Sequence, residues 1–338
     1  MDLKISNNNK KKWLKISKIE NANFPMSDKG RVYHLEVKRG EVANRIITVG
    51  EHSRAEEFAQ CLDKDAPVFR LISKRGFLTI TGKYKGVPIS IVGIGMGLPM
   101  MDFFVREVRS IVDGQLAIIR FGSCGSIGAA RIGSVIVQNS AFAITRNYNY
   151  FSDTEDLEPV SSDEKPYNFS KIFHADPELC KKVELELIKS FGEEHVFTGL
   201  NATCDSFYSS QGREDVNFRD YNSNLISSIH DIYPEAISLE METFMLFHLA
   251  KSSTPLPLKD SNSKNTNNSN HSIKAAAAAM VFADRVTNDF ISSDKVHDIQ
   301  KVARNAVLNS LVDFDLTYVH PDDDDCVWKK KIYLPSFY

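Results

Sequence analysis

The feature that most constrains this chain is the way its apolar runs end. Arg45 to Gly50 (RIITVG), Val87 to Ile94 and Leu116 to Phe121 are short, largely apolar and β-branched. Such runs read as strands buried on both faces. Each gives out on glycine or next to a charged residue. Between them lie stretches of helical period: Met101, Phe104, Val105, Val108, Ile111 and Val112 share one helix face. This alternation predicts an α/β fold, a three-layer α/β/α sandwich around a mixed central sheet, with ligands bound beyond the strand ends.

The remaining elements follow the same grammar. Ser53 and Glu56 form a capping box, so a helix is expected from there to about Leu62. Phe77 to Gly82 is a strand joined to Val87–Ile94 by a turn at Lys83–Gly86. Further strands are expected at Ser134–Ala143, Val196–Thr203, Ala236–Leu239 and, despite its alanines, Ala276–Ala283. Helices are expected at Pro177–Phe191, Glu240–Lys251 and Ser293–Phe314, the last with Val296, Ile299, Val302, Ala306 and Leu311 on one face. Thr145 to Asp176 is polar and irregular, a surface excursion. Residues 252–274, rich in serine and asparagine, cannot pack a core and read as a disordered insertion. The expected organisation is a flexible N-terminal tail (1–30), one domain (31–314) and a C-terminal extension (315–338). In that extension Asp322 to Asp325 and Lys329 to Lys331 are expected to be solvated. Consecutive aspartates beside His320 do not converge on one ion, so no metal site is expected.

Composition excludes several classes of function. Lys plus Arg number 41 against 44 Asp plus Glu, a net charge of −3, which offers no field for nucleic acid or an anionic membrane. Any phosphate must therefore be held by a few aimed groups. The N-terminus is polar and basic, without the apolar core of a signal peptide, and no apolar run reaches the ~18 residues of a membrane span. Five cysteines with no Cys-x-x-Cys pair argue against a disulfide framework and a structural zinc site. A cytoplasmic protein is expected. The Lys10–Lys12 cluster also reads as a nuclear address, though a solvated tail is the plainer reading.

Five segments carry chemistry. Gly50 ends a strand before a helix, where backbone amides face an anion and Arg54 adds charge one turn on. Gly93 to Pro99 is glycine-rich, but its spacing does not fit a dinucleotide fingerprint, so it reads as close packing at a helix start. Arg120 closes an apolar strand and needs either a buried carboxylate or an anionic ligand; the residues alone leave both open. The Gly-Ser-Cys-Gly turn after Phe121 offers amides and the Ser123 hydroxyl, with Cys124 and Gly125 lining the same ligand. Asp205 to Arg213 joins a stacking ring, Phe207 or Tyr208, to the amide of Gln211 and the guanidinium of Arg213, suited to one planar edge. Glu240-Met241-Glu242 reads either as carboxylates favoured by a helix dipole or as a sugar-diol acceptor, with Met241 on the sugar's apolar face. Asp284 and Arg285 follow a buried strand and can place an acid or a clamp at the same edge.

Taken in this order, from about Val32 to Leu311, these segments resemble the nucleoside phosphorylase family, and within it the uridine-cleaving members. The resemblance implies a phosphorylase/hydrolase-like sandwich and reversible phosphorolysis of uridine to uracil and ribose 1-phosphate, a pentosyl transfer in nucleoside salvage. It implies phosphate binding by Gly50, Arg54, Arg75, Arg120 and Ser123. Ribose falls to His34, Ser123, Glu240, Met241 and Glu242, and the base to Cys124, Gly125, Phe207, Gln211 and Arg213. Arg120, Gln211 and Arg213 would carry catalysis. His34 and Arg75 would be donated across an interface, so a homo-oligomer, at least a dimer, is implied. No metal or organic cofactor is implied, phosphate being a co-substrate. The prolines of the family's phosphate turn are missing around Gly50. Asp284 stands where purine-cleaving members carry their acid, which points to purine or broad specificity, unless Arg285 ties it down as an ion pair. A hydrolase of the same fold would have no use for Arg54, Arg75 and Arg120 together. A non-catalytic nucleoside-binding protein has no need of the full set.

Overall fold

The computed structural model describes residues 19–151, 164–253, 271–320 and 322–329. Two short strands, β1 (Ile19–Glu20) and β2 (Met26–Ser27), pair within the span read as a tail. The main sheet comprises β3 (Arg45–Val49), β4 (Phe69–Ile72), β5 (Leu78–Tyr84), β6 (Val87–Gly93), β7 (Leu116–Ser126), β8 (Val135–Arg146), β9 (Tyr167–Phe169), β10 (Phe173–His174), β11 (Val196–Cys204), β12 (Ala236–Glu240), β13 (Ile273–Asp284) and β14 (Asp289–Phe290). The helices are α1 (His52–Ala59), α2 (Leu98–Ile111), α3 (Pro177–Phe191), α4 (Leu225–Ile232), α5 (Thr243–Ser252) and α6 (Ser293–Val312).

The sheet is mixed, as expected, and β7 is its hub. It pairs in parallel with β3 and β13 and antiparallel with the end of β12. From β3 the order continues through β6, β5 and β4. On the other side β13, β8, β11 and β12 lead back to β7, so this half of the sheet curls until it closes on itself. Five consecutive alanines, Ala275 to Ala279, run through the centre of β13 and are buried. Alanine favours helix in isolation, but here pairing on both edges outweighs propensity, and the small side chains let α3 and α5 pack close. Because the sheet closes on itself, the C-terminal ends of β3, β7, β12 and β13 and the loop after β11 converge, bringing Gly50, Ser123 to Gly125, Gln211, Glu240 and Ala283 around one cavity.

Several expectations are corrected. Helix α1 starts at His52 with Glu51 at its N-cap and no side-chain cap; Glu56 is ion-paired with Arg70 instead of reaching back to Ser53. The Gly-Ser-Cys-Gly segment is not a turn but the last third of β7. Glu240 ends β12 rather than opening a helix, and α5 begins at Thr243. Part of the excursion after Thr145 is ordered: β9 and β10 pair with β8, while 152–163 lie outside the described residues. Val302 is exposed; the buried face of α6 is Ile299, Ala303, Ala306, Val307 and Leu311. Ser252 belongs to α5, and Ile273 and Lys274 belong to β13. Of the expected insertion, residues 254–270 lie outside the described residues.

The C-terminal extension is not simply solvated. Cys326, Val327 and Trp328 are buried against Ala43, and Trp328 donates its indole N–H to Asp322 at 2.8 Å. Lys330 and Lys331 lie outside the described residues. His320, 4% exposed, anchors the segment: its amide donates to Asn44, and its Nδ1 accepts the Asp113 amide at 3.1 Å. Burial, with Arg39 adding to it and Asp113 and Asp323 opposing, holds His320 below its ordinary value. An acceptor Nδ1 requires the neutral ring. The unfolded chain therefore takes up a proton below about pH 6.5 that the folded chain resists. Stability from this group is complete above that pH and is lost as pH falls through the folded value. The melting temperature should fall between about pH 7 and pH 5, and His320→Asn should flatten that fall. An unchanged slope in the variant would contradict this assignment.

Candidate active site

At the shared strand ends lies a cavity of about 390 Å³. Its walls include Gly50 and Arg54 from the β3–α1 junction, Arg120 and Ser123 to Gly125 from β7, and Phe207, Gln211 and Arg213 from the loop after β11. Glu240, Met241 and Glu242 follow from the β12–α5 junction. Segments far apart in the chain, from Gly50 to Glu242, thus meet at one cavity.

One end is cationic. Arg54 and Arg120 are each 4% exposed. Arg120 folds back along its own strand, and a Cβ at Gly122 would stand 3.1 Å from its Nη2, so glycine makes room for the guanidinium. Arg120 is ion-paired with Glu242 and has its Nε 3.6 Å from Glu240. Both readings left open for Arg120 meet here, because its Nε and Nη1 and the Nε of Arg54 have no hydrogen-bond partner. Burial, joined by the like charge of Arg120 and opposed by Glu51 and Glu242, pushes Arg54 down to about 10. Two buried cations with idle donors beside the N-terminus of α1 are chemically suited to an anion.

The middle is acidic, and its two glutamates differ. Glu240 accepts from Asn201 at 2.7 Å, Thr203 at 2.5 Å and the amides of Glu242 at 2.8 Å and Thr243 at 3.0 Å. Its oxygens are occupied, and those bonds build the bend between β12 and α5. Glu242 accepts from Arg120 and, at 2.5 Å, from the amide of Gly97. Burial raises Glu242 above its ordinary value against the pull of Arg120, with Glu240 adding to the rise. Further donors to Glu242 would favour its ionised form.

The far end is a flat polar edge. Arg213 lies over Phe207, 3.8 Å from the ring centroid, and donates to the Phe207 carbonyl at 2.8 Å and to Gln211 Oε1 at 2.5 Å. Burial, then the neighbouring Arg285, lowers Arg213 to about 10. Gly212 takes a left-handed φ of 62°. The loop is held from behind: Asn222 donates to the carbonyls of Ser209 and Arg213, and Arg285 to those of Gln211 and Gly212, at 2.8–2.9 Å. Arg285 has room because Gly125 lacks a Cβ, which would sit 3.3 Å from its Cγ.

Four expected residues stand outside the cavity. Arg285 acts as the clamp just described and does not pair with Asp284. Asp284 is instead paired with Arg131 at 2.8 Å and accepts the amides of Val286 and Thr287. Burial works to raise Asp284, but Arg131 and the two amides outweigh it, so the carboxyl sits below its ordinary value. His34 is partly buried against Glu107 and Phe103, and Arg75 is exposed beside Tyr33. Cys124 lines the cavity with its thiol pushed far up by burial and by Glu240, as befits a wall and not a nucleophile. The reading of Gly93–Pro99 as mere close packing is corrected: Gly95 and Met96 line the cavity, and Gly97 binds Glu242. Leu239, Phe282, Ala283 and Phe290 complete an apolar floor that sequence reasoning took for core or passed over. Among the described residues no cluster of His, Cys, Asp or Glu is disposed to hold a metal, and no helix is long and apolar enough to cross a membrane.

Known proteins place this geometry in context. A family model described as the phosphorylase superfamily matches residues 44–253. Uridine phosphorylase of Thermococcus kodakarensis is 28% identical over 278 residues, covering 81% of this chain and 85% of its own. A DeoD-type purine nucleoside phosphorylase of Listeria welshimeri is 34% identical over 130 residues, 38% of this chain and 54% of that protein. A structure from a study of two uridine phosphorylases of Phytophthora capsici superposes with a TM-score of 0.77 at 36% identity, covering 88% of this chain and 100% of that one. A Trypanosoma brucei nucleoside phosphorylase described as showing uridine phosphorylase activity shares the fold at 20% identity, with a TM-score of 0.68 over 86% of this chain and 100% of its own. The chain therefore belongs to the phosphorylase superfamily, the family of nucleoside phosphorylases that its motifs resemble.

Proposed function

We propose that this protein is a uridine phosphorylase. The observation that carries the reading is a single cavity with idle buried guanidinium donors at one end and the Gln211–Arg213–Phe207 edge at the other. Phosphate sits against Gly50, Arg54, Arg120 and Ser123 and attacks C1′ of the ribose as the C1′–N1 bond opens through an oxocarbenium-like state. The anion is both counter-charge and nucleophile. Glu242 accepts the ribose diol, whose donors relieve its buried carboxyl, and Met241 packs on the sugar. Glu240 contributes by fixing Arg120 and the bend.

Because Arg213 occupies Gln211 Oε1, Gln211 offers its NH₂, so amide and guanidinium together present donors to the base. Donors suit the uracil carbonyls and the negative charge that grows there as N1 departs. The base then takes a proton from solvent or phosphate. No metal or organic cofactor enters this scheme. His34 and Arg75, outside their own cavity, would serve a second copy, making a dimer the smallest complete unit.

Similarity to purine-cleaving relatives supports a second reading, with Asp284 as the acid for a purine. The Arg131 pair weighs against it: a carboxyl held below its ordinary value is ionised at neutral pH and has no proton to give.

With phosphate present, uracil should form from uridine, and inosine should be cleaved about a hundredfold more slowly or less. Faster cleavage of inosine would overturn the uridine assignment. Arg213→Ala should lower kcat/KM for uridine by about a hundredfold, about 3 kcal/mol, and leave the KM for phosphate unchanged. An equal loss on both co-substrates would show that Arg213 acts on the fold instead of the base.

A further inference from the structure

Behind the cationic end of the cavity runs a chain of side-chain hydrogen bonds that touches no part of the cavity wall. Gln138 of β8, Asn201 of β11 and Ser238 of β12 are each no more than 1% exposed, and none of them lines the cavity. They come from three strands of the half-sheet that closes on itself, where a polar side chain has to be bonded to be tolerated.

The direction of each bond follows from Glu240. A carboxylate accepts, so Asn201 must turn its NH₂ toward Glu240 Oε1, at 2.7 Å. The Asn201 carbonyl then accepts from Gln138 Nε2 and from the Ser238 hydroxyl, both at 2.8 Å. The carbonyl of Gln138 in turn accepts the Thr243 hydroxyl at 2.7 Å. Both amides are held at both ends, and neither can turn over without losing bonds on each side.

The consequence falls on Arg120. Glu240 stands 3.6 Å from Arg120 Nε, near enough to balance its charge and too far for a hydrogen bond. The nearer oxygen, Oε2, is held by the amides of Glu242 and Thr243, and Oε1 by Asn201 and Thr203. Arg120 Nε is left without a partner among the described residues. A carboxylate that loses a donor on one side is drawn to the cation on the other, and a guanidinium–carboxylate bond is a strong one.

We propose that Asn201, locked by Gln138 and Ser238, is a positioning residue that holds Glu240 back from Arg120 and so keeps Arg120 Nε free for an anion. The proposal rests on reading this end of the cavity as the phosphate site, and adds to it a residue that touches neither substrate.

In a phosphate-free crystal structure of Asn201→Ala, Glu240 should close on Arg120 Nε to hydrogen-bond distance, about 3 Å. A gap unchanged from that of the unmodified protein overturns the proposal. In uridine cleavage the KM for phosphate should rise about tenfold in this variant, while the KM for uridine stays within about twofold. Gln138→Met leaves Asn201 in place but frees its amide to turn, so it should raise the phosphate KM in the same sense whether or not Asn201→Ala folds. Leu200→Ala, an apolar truncation in the same strand, should lower the melting temperature without that split. The same split there would mark a general effect of a loosened strand and overturn the proposal. So would a rise in both KM values together, or in neither, with uridine phosphorolysis left standing. Release of no uracil by the unmodified protein would overturn the underlying reading, and the proposal with it.

Discussion

Arg120 is the constraint around which the rest is arranged. A guanidinium ending a buried strand has to be paired, and it is met by Glu242 and approached by Glu240, both carried from the end of β12. That encounter is possible because the sheet curls until β12 meets β7. Glu240 in turn is held by Asn201 and Thr203 of β11, so the charge cluster is bonded into three strands and the start of α5. What the cluster leaves unfilled, two donor atoms on Arg120 and one on Arg54, is suited to an anion.

The loop that carries Gln211 and Arg213 depends on the same strand ends. Arg285, one residue beyond β13, ties down Gln211 and Gly212 and passes over Gly125, while Asp284 beside it faces Arg131. Adjacent residues in an extended chain point to opposite sides. The Asp284–Arg285 pair that the sequence offered as an alternative is therefore not made. The strand that carries the clamp also removes the acid from the cavity.

Much of this was legible in the sequence, and the reasons are physical. Short apolar runs ending in Gly50, at Arg120–Phe121 and just before Glu240 marked strands whose ends bear chemistry, and α3 was readable over Pro177–Phe191 from its apolar spacing. Long-range pairing was not legible. Nothing local says that Arg131 rather than Arg285 meets Asp284, that Glu107 meets His34 across 73 residues, or that Trp328 returns to Ala43. Local signals also misled where tertiary bonds compete: Arg70 draws Glu56 from its capping box, and the glycines at 93–97 serve Glu242 as well as packing. Apolar positions such as Phe282 and Ala283 look like core because periodicity cannot distinguish a core wall from a cavity wall.

The central claim is that the idle arginine donors hold phosphate as the attacking group. It is tested most directly by the fate of the sugar during uridine cleavage, followed by ³¹P NMR as inorganic phosphate is consumed. The account predicts ribose 1-phosphate, formed one for one with uracil, and no uracil in phosphate-free buffer. Free ribose, or cleavage at an undiminished rate without phosphate, would contradict it.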